Sequence, residues 1–142
     1  VLCPVFVINL GQREYIILLQ ESYMDERLIK ALDFSNYMVT LNNQKRLLSE
    51  RYQENLLYFH NGCQFTVTQE LINFVRLLID NHQDDQAVLT DDNGIPTIIE
   101  DVDNFYNQII DVYFSASNAY HTEYIKLKNQ RSVEKLVEYE KN

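Results

Sequence analysis

A histidine and a cysteine stand close together in His60-Asn61-Gly62-Cys63, the softest donor pair in the chain. A closed zinc site needs four such ligands, and His82, His121 and Cys3 are isolated from the pair along the sequence. Asn61-Gly62 reads more simply as a left-handed stop at the end of a helix, with Cys63 a small buried residue after it. A second candidate runs from Leu89 to Glu100. Setting Gly94 on the invariant glycine of a calcium loop puts Asp91 and Asn93 at ligand positions and Glu100 at the bidentate one. Leu89 then falls where the first ligand belongs, and Pro96 interrupts the loop's short strand. A β-hairpin turning at Asp92-Asn93-Gly94 accounts for the same residues without a metal.

Nucleophile chemistry finds no better footing. Three scattered histidines, and serines without the glycines of a nucleophile elbow, do not compose a triad. Three well-separated glycines cannot cradle a phosphate. The carboxylate pairs Asp84-Asp85 and Asp91-Asp92 have the character of loops and turns. No catalytic residue, metal ligand, cofactor or small-molecule substrate is expected.

The residues with the strongest spacing are aromatic. Tyr106, Tyr113 and Tyr120 recur every seven positions, and Tyr124 and Tyr139 follow. Such a stripe offers large contact area with a polar tip, suited to a helix–helix seam within the chain or to a subunit interface. Just beyond it, Tyr124, Lys126, Lys128, Arg131 and Lys135 interleave aromatic and basic groups, a pattern that can contact single-stranded nucleic acid. Glu134, Glu138 and Glu140 offset those charges, and cations at a helix C-terminus are already explained by the helix dipole. The interaction residues expected from sequence are Tyr106, Tyr113, Tyr120, Tyr124, Lys126, Lys128 and Arg131.

These residues need elements to hold them, and composition limits the choice. The chain of 142 residues is 46% hydrophobic and 23% charged, as in an ordinary globular protein, and is expected to form one domain. With only three glycines and two prolines, its elements must be long. Its net charge of −9 is unevenly spread. Residues 1–60 carry six basic and seven acidic groups, residues 61–125 one and eleven, and residues 126–142 five and three. The acidic middle repels phosphate backbones, which disfavours nucleic acid as a general partner. Two cysteines without a CxxC spacing suit a reducing, cytoplasmic setting. The apolar opening Val1–Leu10 is too short to cross a bilayer and lacks the basic start of a signal peptide, so no membrane association is expected. Since the chain starts at Val1 and not at Met, residues preceding it are expected.

Val5–Ile8 is β-branched and aromatic and predicts a strand or extended arm within 1–12. No glycine or proline occurs from Glu14 to His60, which predicts a long helix over 14–60, with a break near Asp33–Asn36 as the alternative. Phe34, Met38, Leu41, Leu48, Tyr52 and Phe59 give it a seam, with Lys45 and Asn55 filling the gaps. Roughly 45 residues at 1.5 Å each would span about 65–70 Å. Residues 65–100 predict a short helix capped by Thr66 or Thr68, with Leu71, Phe74, Val75, Leu78 and Ile79 on one face, then a hairpin of Ala87–Thr90 and Ile95–Ile99. A second long helix follows over 101–138, with Val102, Tyr106, Ile109, Tyr113, Ala116, Tyr120 and Leu127 as its seam. The expected fold is mainly α: two long antiparallel amphipathic helices, coiled-coil-like, with a short helix and a β-hairpin inserted between them. A three-helix bundle is the competing arrangement.

The order of parts resembles a known group. Leu57-Tyr58-Phe59-His60-Asn61-Gly62, then Phe65-Thr66-Val67-Thr68, the Asp-Asn-Gly turn, and the final Tyr120-His121-Thr122-Glu123-Tyr124 and Arg131-Ser132-Val133-Glu134-Lys135-Leu136 look like small coil-containing accessory proteins of T4-like tailed phages. The resemblance implies a non-enzymatic structural or assembly component that self-associates and contacts other phage proteins, in the host cytoplasm or the virion. It assigns no residue a role. Two other readings share the long-helix plan: a recombination mediator that binds single-stranded nucleic acid, and a prefoldin-like chaperone.

Overall fold

A computed structural model describes residues 5–83 and 85–140, and side chains over 25–83 and 85–136. It is mostly helical, with four α-helices and two small antiparallel β-hairpins among the described residues. The elements are α1 (Val5–Asn55), β1 (Leu57–His60), β2 (Cys63–Thr66), α2 (Gln69–Asp80), β3 (Ala87–Thr90), β4 (Pro96–Ile99), α3 (Val102–Lys128) and α4 (Val133–Glu140). Two compact units emerge, one of residues 43–131 and the other of residues 1–42 with 132–142. Cys3 and the side chain of Tyr139 lie outside the described residues.

Helix α1 corrects the sequence reading at both ends. Val5–Ile8 is not a strand; the helix already includes it and continues through Gly11 and past Asp33–Asn36. A lone β-branched run has no sheet partner for its backbone groups, whereas a helix satisfies them internally. One glycine costs such a helix only about 1 kcal/mol. At its other end α1 stops at Asn55, so Leu57–His60 is not helical. Those four residues pair with Cys63–Thr66, His60 opposite Cys63, leaving a two-residue turn of Asn61 and Gly62. Both turn residues have positive φ, 50° and 80°, as a type I′ hairpin turn requires. Asn61-Gly62 is therefore a hairpin turn and not a helix cap.

The short helix forms for local reasons. Thr68, rather than Thr66, is its N-cap, and its hydroxyl accepts from the Leu71 N–H at 3.2 Å. Glu70 stands in the first turn, and Arg76 pairs with Asp80 at 3.0 Å. At the far end the Asn81 side chain donates to the Leu77 carbonyl at 2.8 Å, and His82 turns into the left-handed region at φ 57°. Val75 is buried, with Leu71, Ile72, Leu78 and Ile79 packed on the same core; Phe74 stays exposed.

The second hairpin stands where the sequence placed it. Ala87 faces Ile99 and Thr90 faces Pro96, leaving a five-residue loop, Asp91–Ile95. Alternation buries Ala87, Leu89 and Ile99 and leaves Val88 and Ile98 exposed. In α3 the Asp101 carboxylate caps the start by accepting from the Asn104 N–H at 2.8 Å, and Lys126 and Lys128 close the last turn. The expected helix over 101–138 is interrupted: α3 ends at Lys128 with Asn129 as its C-cap, and α4 begins after Ser132, whose hydroxyl accepts from the Lys135 N–H at 3.4 Å. Helix-ending Asn and helix-starting Ser favour separate helices there.

A buried hydrophobic cluster lies in the 43–131 unit. Phe65, Val67, Val75, Ala87, Leu89, Ile99, Val102, Phe105 and Ile109 form one cluster drawn from β2, α2, the second hairpin and α3. Of the seam residues expected on α3, Val102, Ile109, Ala116 and Leu127 are buried, and Tyr106, Tyr113 and Tyr120 half-buried. Of those expected on the first helix, Leu48 is buried and Met38, Leu41 and Tyr52 half-buried, while Phe34 and Phe59 are exposed.

Candidate interaction surface

Each tyrosine of the stripe meets a partner within its own chain. The Arg76 guanidinium sits 5.9 Å from the centre of the Tyr106 ring, within reach of its negative face. The Tyr113 hydroxyl accepts from the Gln69 amide at 2.7 Å, which ties the start of α2 to α3. Tyr120 stacks on Tyr52 at 4.6 Å between ring centres, and the Tyr52 hydroxyl lies 3.4 Å from that of Ser117. Tyr124 continues the row 6.2 Å from Tyr120. These rings bridge α3 to α2 and to the last turns of α1, as lining of an internal seam would.

The basic residues lie outside it. Lys126 is exposed and pairs at 2.8 Å with the half-buried Glu123, one turn back on the same helix. Lys128 and Arg131 are exposed. The structure thus separates two groups that the sequence ran together: aromatic residues turned inward, cations left in water.

A second aromatic group escaped the sequence reading. Tyr58, His60 and Phe65 all approach the buried Phe105 ring edge-on, at 5.6, 5.4 and 5.4 Å. The Tyr58 hydroxyl donates to the Gln108 side-chain carbonyl. Burial pushes the Tyr58 phenol above its ordinary pKa. The signal was present: Tyr58, His60 and Phe65 fall on one face if 57–60 and 63–66 are strands of a two-residue hairpin.

The candidate ligand groups serve the fold. His60 meets the Phe105 ring edge-on, and Thr97 donates its hydroxyl to the Cys63 sulfur at 3.0 Å. One oxygen of the buried Asp91 carboxylate accepts from the Asn93 N–H at 2.9 Å and the Ile95 N–H at 2.7 Å, closing its own loop. Among the described residues, no three His, Cys, Asp or Glu side chains converge as a metal site would need. Asp92 joins the two hairpins: it accepts from the Thr66 N–H at 2.9 Å, the Thr66 hydroxyl at 2.7 Å and the Gln64 amide at 3.2 Å. Partial burial works against its charge, but these donors outweigh it and hold the carboxyl below its usual pKa.

Several apolar side chains also remain open to a partner. On α1, Leu28, Ile29, Leu32, Phe34 and Val39 are between 51% and 66% exposed. The spacing of Leu28, Leu32 and Val39 places those three on one side of the helix. The second hairpin adds Val88, Ile95 and Ile98, and α3 adds Phe114 and Ile125. No helix among the described residues is long and apolar enough to cross a membrane. The chain matches no protein-family model, no curated protein and no solved structure.

Proposed function

We propose that this protein is a non-enzymatic protein–protein interaction module that associates with itself and serves as a structural or assembly component of a tailed phage. In this reading α1 and α3 act as two long antiparallel helices, with the hairpins and α2 between them as a compact head. The phage assignment rests on the resemblance in the order of parts.

One observation carries the self-association: the apolar run on α1, where Leu28, Ile29, Leu32, Phe34 and Val39 all stand in water. Covering such a side chain is favourable by about 25 cal/mol per Å² of apolar surface, and contiguous exposed patches mark places where another surface docks. A helical partner laid along Leu28, Leu32 and Val39 would bury them as a seam. Light scattering at tens of micromolar should give a mass above 16.9 kDa for the wild type. Leu28→Asp with Leu32→Asp should lower that mass without loss of helical circular dichroism, because both positions are already exposed. A wild type that stays monomeric at that concentration removes the self-association.

A further inference from the structure

Within the 43–131 unit, the two signs of charge collect at opposite ends of α3. Around its first turns lie α2 and both hairpins, and residues 61–111 hold one basic group, Arg76, against ten acidic ones. Arg76 is itself paired with Asp80. Around its last turns the end of α1 lies alongside: Tyr52 meets Ser117 and Tyr120, and Leu48 and Arg51 share a small groove with Glu123. Here Lys45, Arg46, Arg51, Lys126, Lys128 and Arg131 outnumber Glu50, Glu54 and Glu123, with Arg46 paired to Glu50 and Lys126 to Glu123. The 27 residues of α3 hold the two ends about 40 Å apart, well beyond a Debye length of about 8 Å at physiological salt.

Each end also carries exposed apolar side chains inside its field. At the acidic end, Val88 and Ile98 face each other across the hairpin on its outer side, 64% and 51% exposed, with Ile95 beside them and exposed Asp85 and Glu100 next to the strands. The inner side of that hairpin is spent on the core, so among the described residues the outer side is an exposed sheet face. At the basic end, Ile125 is 41% exposed next to Lys126, with Lys128 and Arg131 following. An apolar centre framed by one sign of charge complements an apolar centre framed by the other.

We infer that the outer face of the second hairpin receives the basic end of a second copy of this chain, joining copies head to tail. The inference rests on the proposed self-association and names a surface for it other than α1. Because the two surfaces differ, the contact is heterologous and propagates until the rotation between copies closes a ring. Charge sets its register and its salt dependence, and Val88, Ile95 and Ile98 supply the area that is dried.

Sedimentation velocity on the full chain at tens of micromolar tests it. The wild type should grow in mass at about 50 mM salt and lose that growth at about 500 mM, with at least about a tenfold loss in apparent affinity. Lys128→Glu with Arg131→Glu makes both ends acidic, and Asp85→Lys with Glu100→Lys weakens or reverses the acidic end. Neither variant alone should show the salt-sensitive growth, and an equimolar mixture should regain it. All four positions are exposed, so circular dichroism should be unchanged. Growth that persists in either variant alone, or a mixture that does not regrow, overturns the inference. Association that ignores salt overturns it too but leaves the self-association through α1 standing, whereas a monomer at both salt levels removes both. A thymidine oligonucleotide that binds the wild type but not Lys128→Glu/Arg131→Glu, with no protein–protein growth at low salt, would give the basic end to nucleic acid and overturn it.

Discussion

The two hairpins each contain Asn-Gly, and they use it in different ways. In the first, Asn61 and Gly62 are the entire turn and both adopt positive φ. In the second, Asn93-Gly94 sits inside a five-residue loop in which Gly94 alone of the pair takes positive φ, at 77°. The first turn is held by backbone conformation. The second is held by a side chain, the buried Asp91 carboxylate, which replaces part of the backbone pairing with hydrogen bonds to two loop N–H groups. A dipeptide thus fixes where the chain turns, and its surroundings decide what stabilises the turn.

The sharpest way to break this contrast is at Asp91. Asp91→Ala removes the acceptor for both loop N–H groups at a site only 6% exposed, and should cost about 2–3 kcal/mol in urea unfolding. Asp91→Asn keeps an oxygen where both bonds converge and should recover most of that loss. If alanine is as stable as wild type, the carboxylate does not hold the loop. Next come the glycines. A Cβ added at either Gly62 or Gly94 meets nothing within 4 Å, so substitution there tests backbone conformation alone. Gly62→Val should cost about 2 kcal/mol, since a two-residue turn has no slack and a β-branched residue resists positive φ. Gly94→Val should cost about 1 kcal/mol, because a longer loop can redistribute the strain. Equal losses, measured as shifts in the urea midpoint, would erase the distinction between the turns.

The same pair shows what could be read from the sequence. The period of Val102, Tyr106, Ile109, Tyr113, Ala116, Tyr120 and Leu127 fixed the buried face of α3, because that period depends on neighbours within one helix. Asn61-Gly62 misled because a left-handed helix stop and a type I′ turn ask for the same dipeptide. Only Leu57–His60 and Cys63–Thr66, pairing with each other, decide between them, and four apolar or aromatic residues after a long helix look like more helix. Val5–Ile8 failed for the complementary reason: β propensity without a pairing strand has nothing to stabilise it. In the candidate surface, the spacing of Tyr106, Tyr113 and Tyr120 gave their shared face but not who faces them. Arg76, Gln69 and Tyr52 come from other elements, and no local pattern brings them there. The exposed Leu28, Leu32 and Val39 were legible as spacing but lay outside the chosen seam, since a helix with apolar residues on two sides offers two seams.

Where the hairpins meet, Asp92 offers a smaller and pH-dependent test. Its folded pKa lies below its unfolded value, so its contribution is fully present above about pH 4 and is lost as pH falls through the folded value. Asp92→Asn should therefore cost about 1 kcal/mol near neutral pH, a modest figure because the side chain is largely solvated. The gap between variant and wild type should narrow as the buffer is taken from pH 6 to about pH 3. A gap that stays constant over that range would mean that the Asp92 charge does not clasp the first hairpin to the second.

Smaller effects still are expected at the two turn asparagines, and Asn61 isolates the turn that depends on backbone conformation. Asn is the non-glycine residue best suited to positive φ, and its side chain is exposed, with its amide 3.4 Å from His60 Nε2 as its nearest polar contact. Asn61→Ala should cost about 0.5–1 kcal/mol, and Asn61→Gly should be nearly neutral because glycine adopts φ 50° freely. Asn93→Ala, at the matching dipeptide of the second hairpin, should change stability less than Asn61→Ala, since residue 93 does not need positive φ. Measured by urea unfolding, the order Asn61→Ala above Asn93→Ala would tie the first turn to its two left-handed residues. The reverse order would show that the Asn93 side chain, whose amide lies 3.5 Å from the Asp91 carboxylate, matters more than the backbone conformation of Asn61.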